Sequence, residues 1–179
     1  LTVNGTVTVM SPEVSNHRSG AGGSIRLSAT SLNGSGKILA CGGASGGNYY
    51  AGAGRIAIRL TEAKSLSAFG GVIGVYGGFN GTAYSSAGTL YVETAADSEK
   101  AGTVTFANPT EAVTLKAGYS DLPATQAVGD PNELKLTKVC IGHVSKVRLT
   151  RDLVIRDLEM VDSTATLDLN GHTLTVKSF

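Results

Sequence analysis

The sequence predicts an all-β fold, a right-handed parallel β-helix or closely related β-solenoid, and three observations carry that expectation. Short β-type runs alternate with glycine clusters over residues 20–92. Those runs align with one another at shifts of 31, 34 and 35 residues. Residues 139–176 then hold six apolar triplets that superpose at shifts of 19, 20 and 21. Repeat periods of roughly 20 to 50 residues mark solenoids and arrays, whose units are too small to bury a face alone and gain a core by stacking. A β-sandwich or β-roll built from the same short strands is the alternative.

Taken in order, Leu1-Thr2-Val3 and Thr6-Val7-Thr8-Val9 alternate with period two around an Asn4-Gly5 turn signal. Gly23-Ser-Ile-Arg-Leu27 aligns with Gly54-Arg-Ile-Ala-Ile58, and Gly54 in turn with Gly88-Thr-Leu-Tyr-Val92. A second unit, Gly36 to Gly43, aligns with Gly71 to Gly78. Residues 93–137 read as an irregular excursion. Thr94 to Lys100 is a polar loop, Val104-Thr-Phe106 and Val113-Thr-Leu115 are strand-like, and Pro123, Gly129 and Pro131 break the pattern. Residues 138–179 return to coils of about 20 residues with three strands each. Their outer triplet members point inward, so Val139 stacks on Leu158, Val147 on Leu167 and Leu153 on Leu174, while Arg148, Glu159, Asp168 and Thr175 mostly face water. The chain therefore divides into glycine-rich repeats at 1–92, an insert at 93–137 and regular coils at 138–179.

Composition narrows the function classes. Glycine supplies 24 of 179 residues, about twice average usage, without the triplet period of collagen. Fifteen basic residues face 14 acidic ones for a net charge of +1, so no nucleic-acid footprint is present. No apolar run reaches the roughly 20 residues of a membrane span. The first residues already read as strand and turn rather than as a signal peptide, and the missing initiator Met fits a mature or excised fragment. Cys41 and Cys140 sit in apolar β-type runs and read as small buried thiols.

The glycine-bearing order Gly22-Gly-Ser-Ile-Arg-Leu27, Leu32-Asn-Gly-Ser-Gly-Lys-Ile-Leu-Ala-Cys-Gly-Gly43 and Gly52-Ala-Gly-Arg-Ile-Ala-Ile-Arg-Leu60 resembles the repeats of large bacterial surface and secreted β-helix proteins. Leu167-Asp-Leu-Asn-Gly-His-Thr-Leu-Thr-Val176 is similar to the coils of autotransporter passengers and adhesin-like β-helices. The resemblance implies an extracellular or cell-surface setting and a non-enzymatic role in adhesion, display or filament assembly, and brings no shared catalytic residues and no cofactor.

Motifs with chemical potential give way to plainer readings. Gly43-Ala-Ser-Gly-Gly47 matches a nucleophile elbow, but no helix signal follows it. Gly52-Ala-Gly-Arg-Ile-Ala57 matches a relaxed dinucleotide fingerprint, yet Arg55 to Arg59 alternates as a strand. The calcium-roll repeat is missing, leaving Asp121 and Asp130 as isolated acidic candidates. Arg151, Asp152, Arg156, Asp157 and Asp162 are a possible groove for a polysaccharide-degrading β-helix enzyme, and read more simply as a solvated surface. His17, His143 and His172 lack metal-ligand spacing. The candidate binding residues are Tyr49, Tyr50, Tyr76, Phe79 and Tyr84, aromatics set among glycine loops that suit a carbohydrate or protein partner. The expected partners are thus a surface glycan or protein, or a second copy of the chain through uncapped solenoid ends.

Overall fold

A computed structural model describes residues 1–12, 19–44, 50–109, 118–122 and 134–177. Among the described residues every regular element is a β-strand. Strands β1 (Thr6–Thr8), β3 (Lys37–Leu39) and β5 (Val72–Gly74) form one parallel sheet. The main sheet has six strands, in the spatial order β12 (Asp157–Met160), β9 (Lys138–Gly142), β7 (Thr103–Ala107), β6 (Thr89–Glu93), β4 (Arg55–Leu60) and β2 (Ser24–Ala29). Two further parallel sheets join β13 (Thr166–Asp168), β10 (Lys146–Leu149) and β8 (Ser120–Leu122), and join β11 (Leu153–Ile155) to β14 (Leu174–Val176). Stacked parallel strands with returns through other sheets make this a β-solenoid.

The ladders follow the register read from the sequence. Ser24 pairs with Arg55, Arg55 with Thr89, and Lys37 with Val72. In the last coils Val139 lies beside Leu158, Val147 beside Leu167 and Leu153 beside Leu174. Alternation then places every second side chain inside. Ile56, Ile58 and Leu60 of β4 join Ile25, Ile38 and Leu32 in a first core, and each such side chain contributes about 1.5–3 kcal/mol by leaving water. Val139, Ile141, Val147, Leu149, Leu153 and Ile155 build a second.

The two cores lie on opposite faces of the main sheet. Strands β6 and β7 pair antiparallel, with Leu90 opposite Thr105 and Tyr91 opposite Val104, and directly opposed residues share a face. Leu90 packs on the first core, whereas Tyr91 and Val104 belong to the second. Reversing the strand direction alone would invert the sense of coiling. Here direction and buried face reverse together, so both halves wind the same way along offset axes. Thr94 to Lys100 forms the reversing loop, closed where Asp97 Oδ2 accepts the Thr94 N–H and hydroxyl at 2.9 Å each.

Parts of the segment read as an excursion thus belong to the stack. Strand β7 extends the main sheet and β8 pairs with β10. Val113 to Leu115, Pro123, Gly129 and Pro131 fall outside the described residues. Buried polar groups tie the halves together. Asn108, 1% exposed, accepts from Gly77 N–H and donates to the carbonyls of Ser85 and Val144.

Glycine is required where coils touch backbone to backbone. A Cβ on Gly54 would lie 1.8 Å from the Gly23 carbonyl oxygen, whereas one on Gly5 would meet nothing within 4 Å. Gly54→Ala is expected to lower unfolding stability by about 1–3 kcal/mol or more, and Gly5→Ala to leave it nearly unchanged. Urea denaturation of the two variants checks this pair.

Candidate functional site

Because the axes are offset, each half leaves the outer face of its sheet beside the end of the other half, and hollows form there. The larger has a volume of about 570 Å³ and is lined by Arg26, Ala57, Arg59, Tyr91, Glu93 and Lys100, among others. Ladder register explains its shape. Arg26, Ala57 and Tyr91 form one outward row across β2, β4 and β6, and the small Ala57 leaves the space between the two long side chains. Ser28, Arg59 and Glu93 form the next row. The Tyr91 hydroxyl donates to Glu93 Oε2 at 2.7 Å, and Arg59 Nε lies 3.0 Å from Glu93 Oε1. Glu93 is 8% exposed, a carboxylate tied down on both oxygens. The Tyr91 ring lies against Gly102, where a Cβ would come within 2.9 Å of it. Burial and the neighbouring Glu93 push the Tyr91 phenol up to about 12, so it remains a hydrogen-bond donor at neutral pH.

A second hollow of about 370 Å³ opens on the opposite face, lined by Ile73, Val75, Tyr76, Leu90, Asn108 and His143, among others. This is where the structure places Tyr76 of the aromatic candidates. Phe79 and Tyr84 stack on one another at 4.6 Å between ring centroids, across a turn in which Asn80 Oδ1 accepts the N–H groups of Thr82 and Ala83. Tyr50 is half-buried, and Tyr49 lies outside the described residues. Of the candidates, the structure brings Phe79 and Tyr84 into ring contact. Sequence reasoning missed Tyr91, Glu93 and Arg59. The available signal was the outward row of each aligned strand, where Arg59 and Glu93 fall at matching positions.

The other chemical candidates serve the stack. Gly52 to Ala57 leads into a strand, not a helix, so it offers no helix N-terminus to a dinucleotide. Ser45 and Asp130 lie outside the described residues. Asp121 Oδ1 accepts from Arg148 Nη2 at 2.8 Å and Nε at 3.2 Å. Arg156 donates to the Ala101 carbonyl, and Asp152 accepts the Thr173 N–H. Asp162 Oδ2 accepts the His143 N–H and lies 2.8 Å from His143 Nδ1, bracing a corner where His143 and Val144 both hold positive φ. Among the described residues no group of three His, Cys, Asp or Glu converges on a metal position. Cys41 and Cys140 are buried free thiols.

No family model matches this chain, and no curated protein or solved structure resembles it significantly. The chemistry is therefore read from the geometry alone.

Two outcomes follow for the titrating groups. Burial, then a hydrogen bond to Glu159, pushes the Cys140 thiol up to about 11. Alkylation of folded protein at pH 8 is expected to run about a hundredfold slower than for a free thiol and to accelerate in urea, as mass spectrometry of the labelled protein would show. The Thr164 hydroxyl, with the His143 and Thr164 N–H groups, holds Asp162 down to about 2. A carboxylate depressed below its unfolded value of about 3.9 stabilises the fold above that value and loses the effect as pH falls through the folded one. Asp162→Asn is thus expected to lower the urea midpoint at pH 7 and to shrink the drop between pH ~4 and ~2.

Proposed function

We propose that this chain is a non-enzymatic structural segment of a secreted or cell-surface protein, a β-solenoid that works in adhesion, display or filament assembly. The observation that carries the reading is the state of the two outer coils. Among the described residues, β12, β13 and β14 at one end have a strand on one side only. Their inward residues Leu158, Leu167 and Leu174 are half-covered, and Met160, Leu169 and Val176 are exposed. At the other end β1 and β2 are outermost, with Val7 and Met10 exposed. Unpaired strand edges carrying apolar rows are templates for further strands.

A second copy suits those edges. Among the described residues, 157–177 carry Asp157, Glu159, Asp162 and Asp168 against Lys177, while 1–12 and 19–44 carry Arg26 and Lys37 with no acid. Opposite charge favours head-to-tail stacking over head-to-head contact. Strand β12 runs antiparallel to β2, so copies stacked head to tail meet in the same strand sense as β6 and β7.

Negative-stain electron microscopy across a concentration series tests this assembly. Rods that lengthen with concentration, and shorten in high salt as the charges are screened, are the expected outcome. Met160→Lys with Val176→Lys is expected to return them to single units. Rods of one length at every concentration would remove end-on stacking from the reading.

A further inference from the structure

We infer that the hollow over Ala57 is a binding site for an acidic oligosaccharide, one whose sugar rings carry carboxylates. This goes beyond the structural role, since the hollow opens on the outward face of β2, β4 and β6 and not along an unpaired strand edge.

Three features select that chemistry. First, Tyr91 presents a flat ring backed by Gly102 beside a polar pair. A pyranose has an apolar C–H face and an equatorial fringe of hydroxyls, so it stacks on a ring while its edge makes hydrogen bonds. Second, Glu93 and Arg59 set an acceptor and a planar donor fork side by side, 3.0 Å apart. A vicinal diol needs that combination, because each hydroxyl both gives and takes a hydrogen bond. Glu93 is held by Tyr91 and Arg59 before any ligand arrives, which reduces the ordering that binding must impose. Third, the hollow contains more cations than its own acids neutralise. Arg26, Arg59 and Lys100 face Glu93 and Glu99. Arg59 is engaged with Glu93, and among the described residues no ion pair takes up Arg26, Lys100 or Glu99, so the hollow keeps an excess of one cation. These two cations stand beside the sugar position and would receive carboxylates.

The form of the hollow favours an oligomer over a single sugar. It opens to solvent along a sheet whose neighbouring strands, and so the successive members of one outward row, lie about 4.8 Å apart, a spacing comparable to the advance per residue of an extended pyranose chain. A chain crossing β2, β4 and β6 would pass Arg26, Ala57 and Tyr91 in turn.

Calorimetric titration of the whole chain with a hexamer of 1,4-linked galacturonate, with a neutral 1,4-linked glucose hexamer and with a glutamate hexapeptide tests the inference. The uronate is expected to bind saturably and at least tenfold more tightly than either control. Arg26→Ala and Lys100→Ala, both at exposed positions, are each expected to weaken it about tenfold. Ala57→Leu, which fills the hollow from the outward face of β4, is expected to abolish binding with the thermal midpoint unchanged. The inference is overturned by no uronate binding, by equal binding of the neutral hexamer or of the peptide, or by uronate binding that Arg26→Ala and Lys100→Ala both leave intact.

Discussion

The antiparallel contact between β6 and β7 sets everything else in this molecule. A parallel stack can grow only by repeating one strand direction, and its core stays on one side. When Leu90 meets Thr105 and Tyr91 meets Val104, the next strand inherits hydrogen bonds but not the buried face. The chain must then build its second core on the far side of the same sheet. The offset of the halves and the hollows beside the joint all follow from that exchange. So does the isolation of Tyr91, which sits on the first half's strand and packs with the second half's core.

Within each half the governing constraint is backbone proximity. Gly54 stands where one coil's carbonyl would occupy the place of a side chain, so the glycine richness reflects contact between coils as well as turns. Polar side chains then pin corners that apolar packing does not reach. Asn108 saturates its amide against three backbone groups, and Asp162 supports two consecutive residues of positive φ. A buried amide such as that of Asn108 is costly unless fully paired, which this one is. The many ionisable groups of the late coils are accordingly spent on architecture, as Arg156 on the Ala101 carbonyl and Asp152 on the Thr173 N–H illustrate.

Much of the fold was legible because a ladder is a one-dimensional object. Shifts of 31, 34 and 35 residues in the early repeats, and the superposition of Val139 on Leu158, are register statements that need no knowledge of loops. The reversal at Thr94 to Lys100 was legible only as a loop. Strand direction leaves no trace in a period-two pattern, and Val104-Thr-Phe106 reads identically from either end. The hollow was hidden for the same reason, since it depends on which side of the sheet the second core takes. Aromatic side chains near glycines drew attention to Phe79 and Tyr84, which spend their ring faces on one another. The residue that lines the hollow, Tyr91, looked like one more member of a strand.

The joint also governs how the molecule would transmit force. Within a half, adjacent coils are sewn by up to three parallel ladders, so tension along the axis is shared around the perimeter. Between the halves, among the described residues, the strand pairing narrows to the seam of β6 and β7, helped by side-chain pegs such as Asn108 on Gly77 and Ser85 and the Ser120 hydroxyl on the Ala87 carbonyl. A pull on the ends therefore concentrates at this seam and, because the axes are offset, reaches it with a lever arm. Under load the solenoid would then act as a cranked shaft, opening first at the seam of β6 and β7 while the coils on either side stay wound.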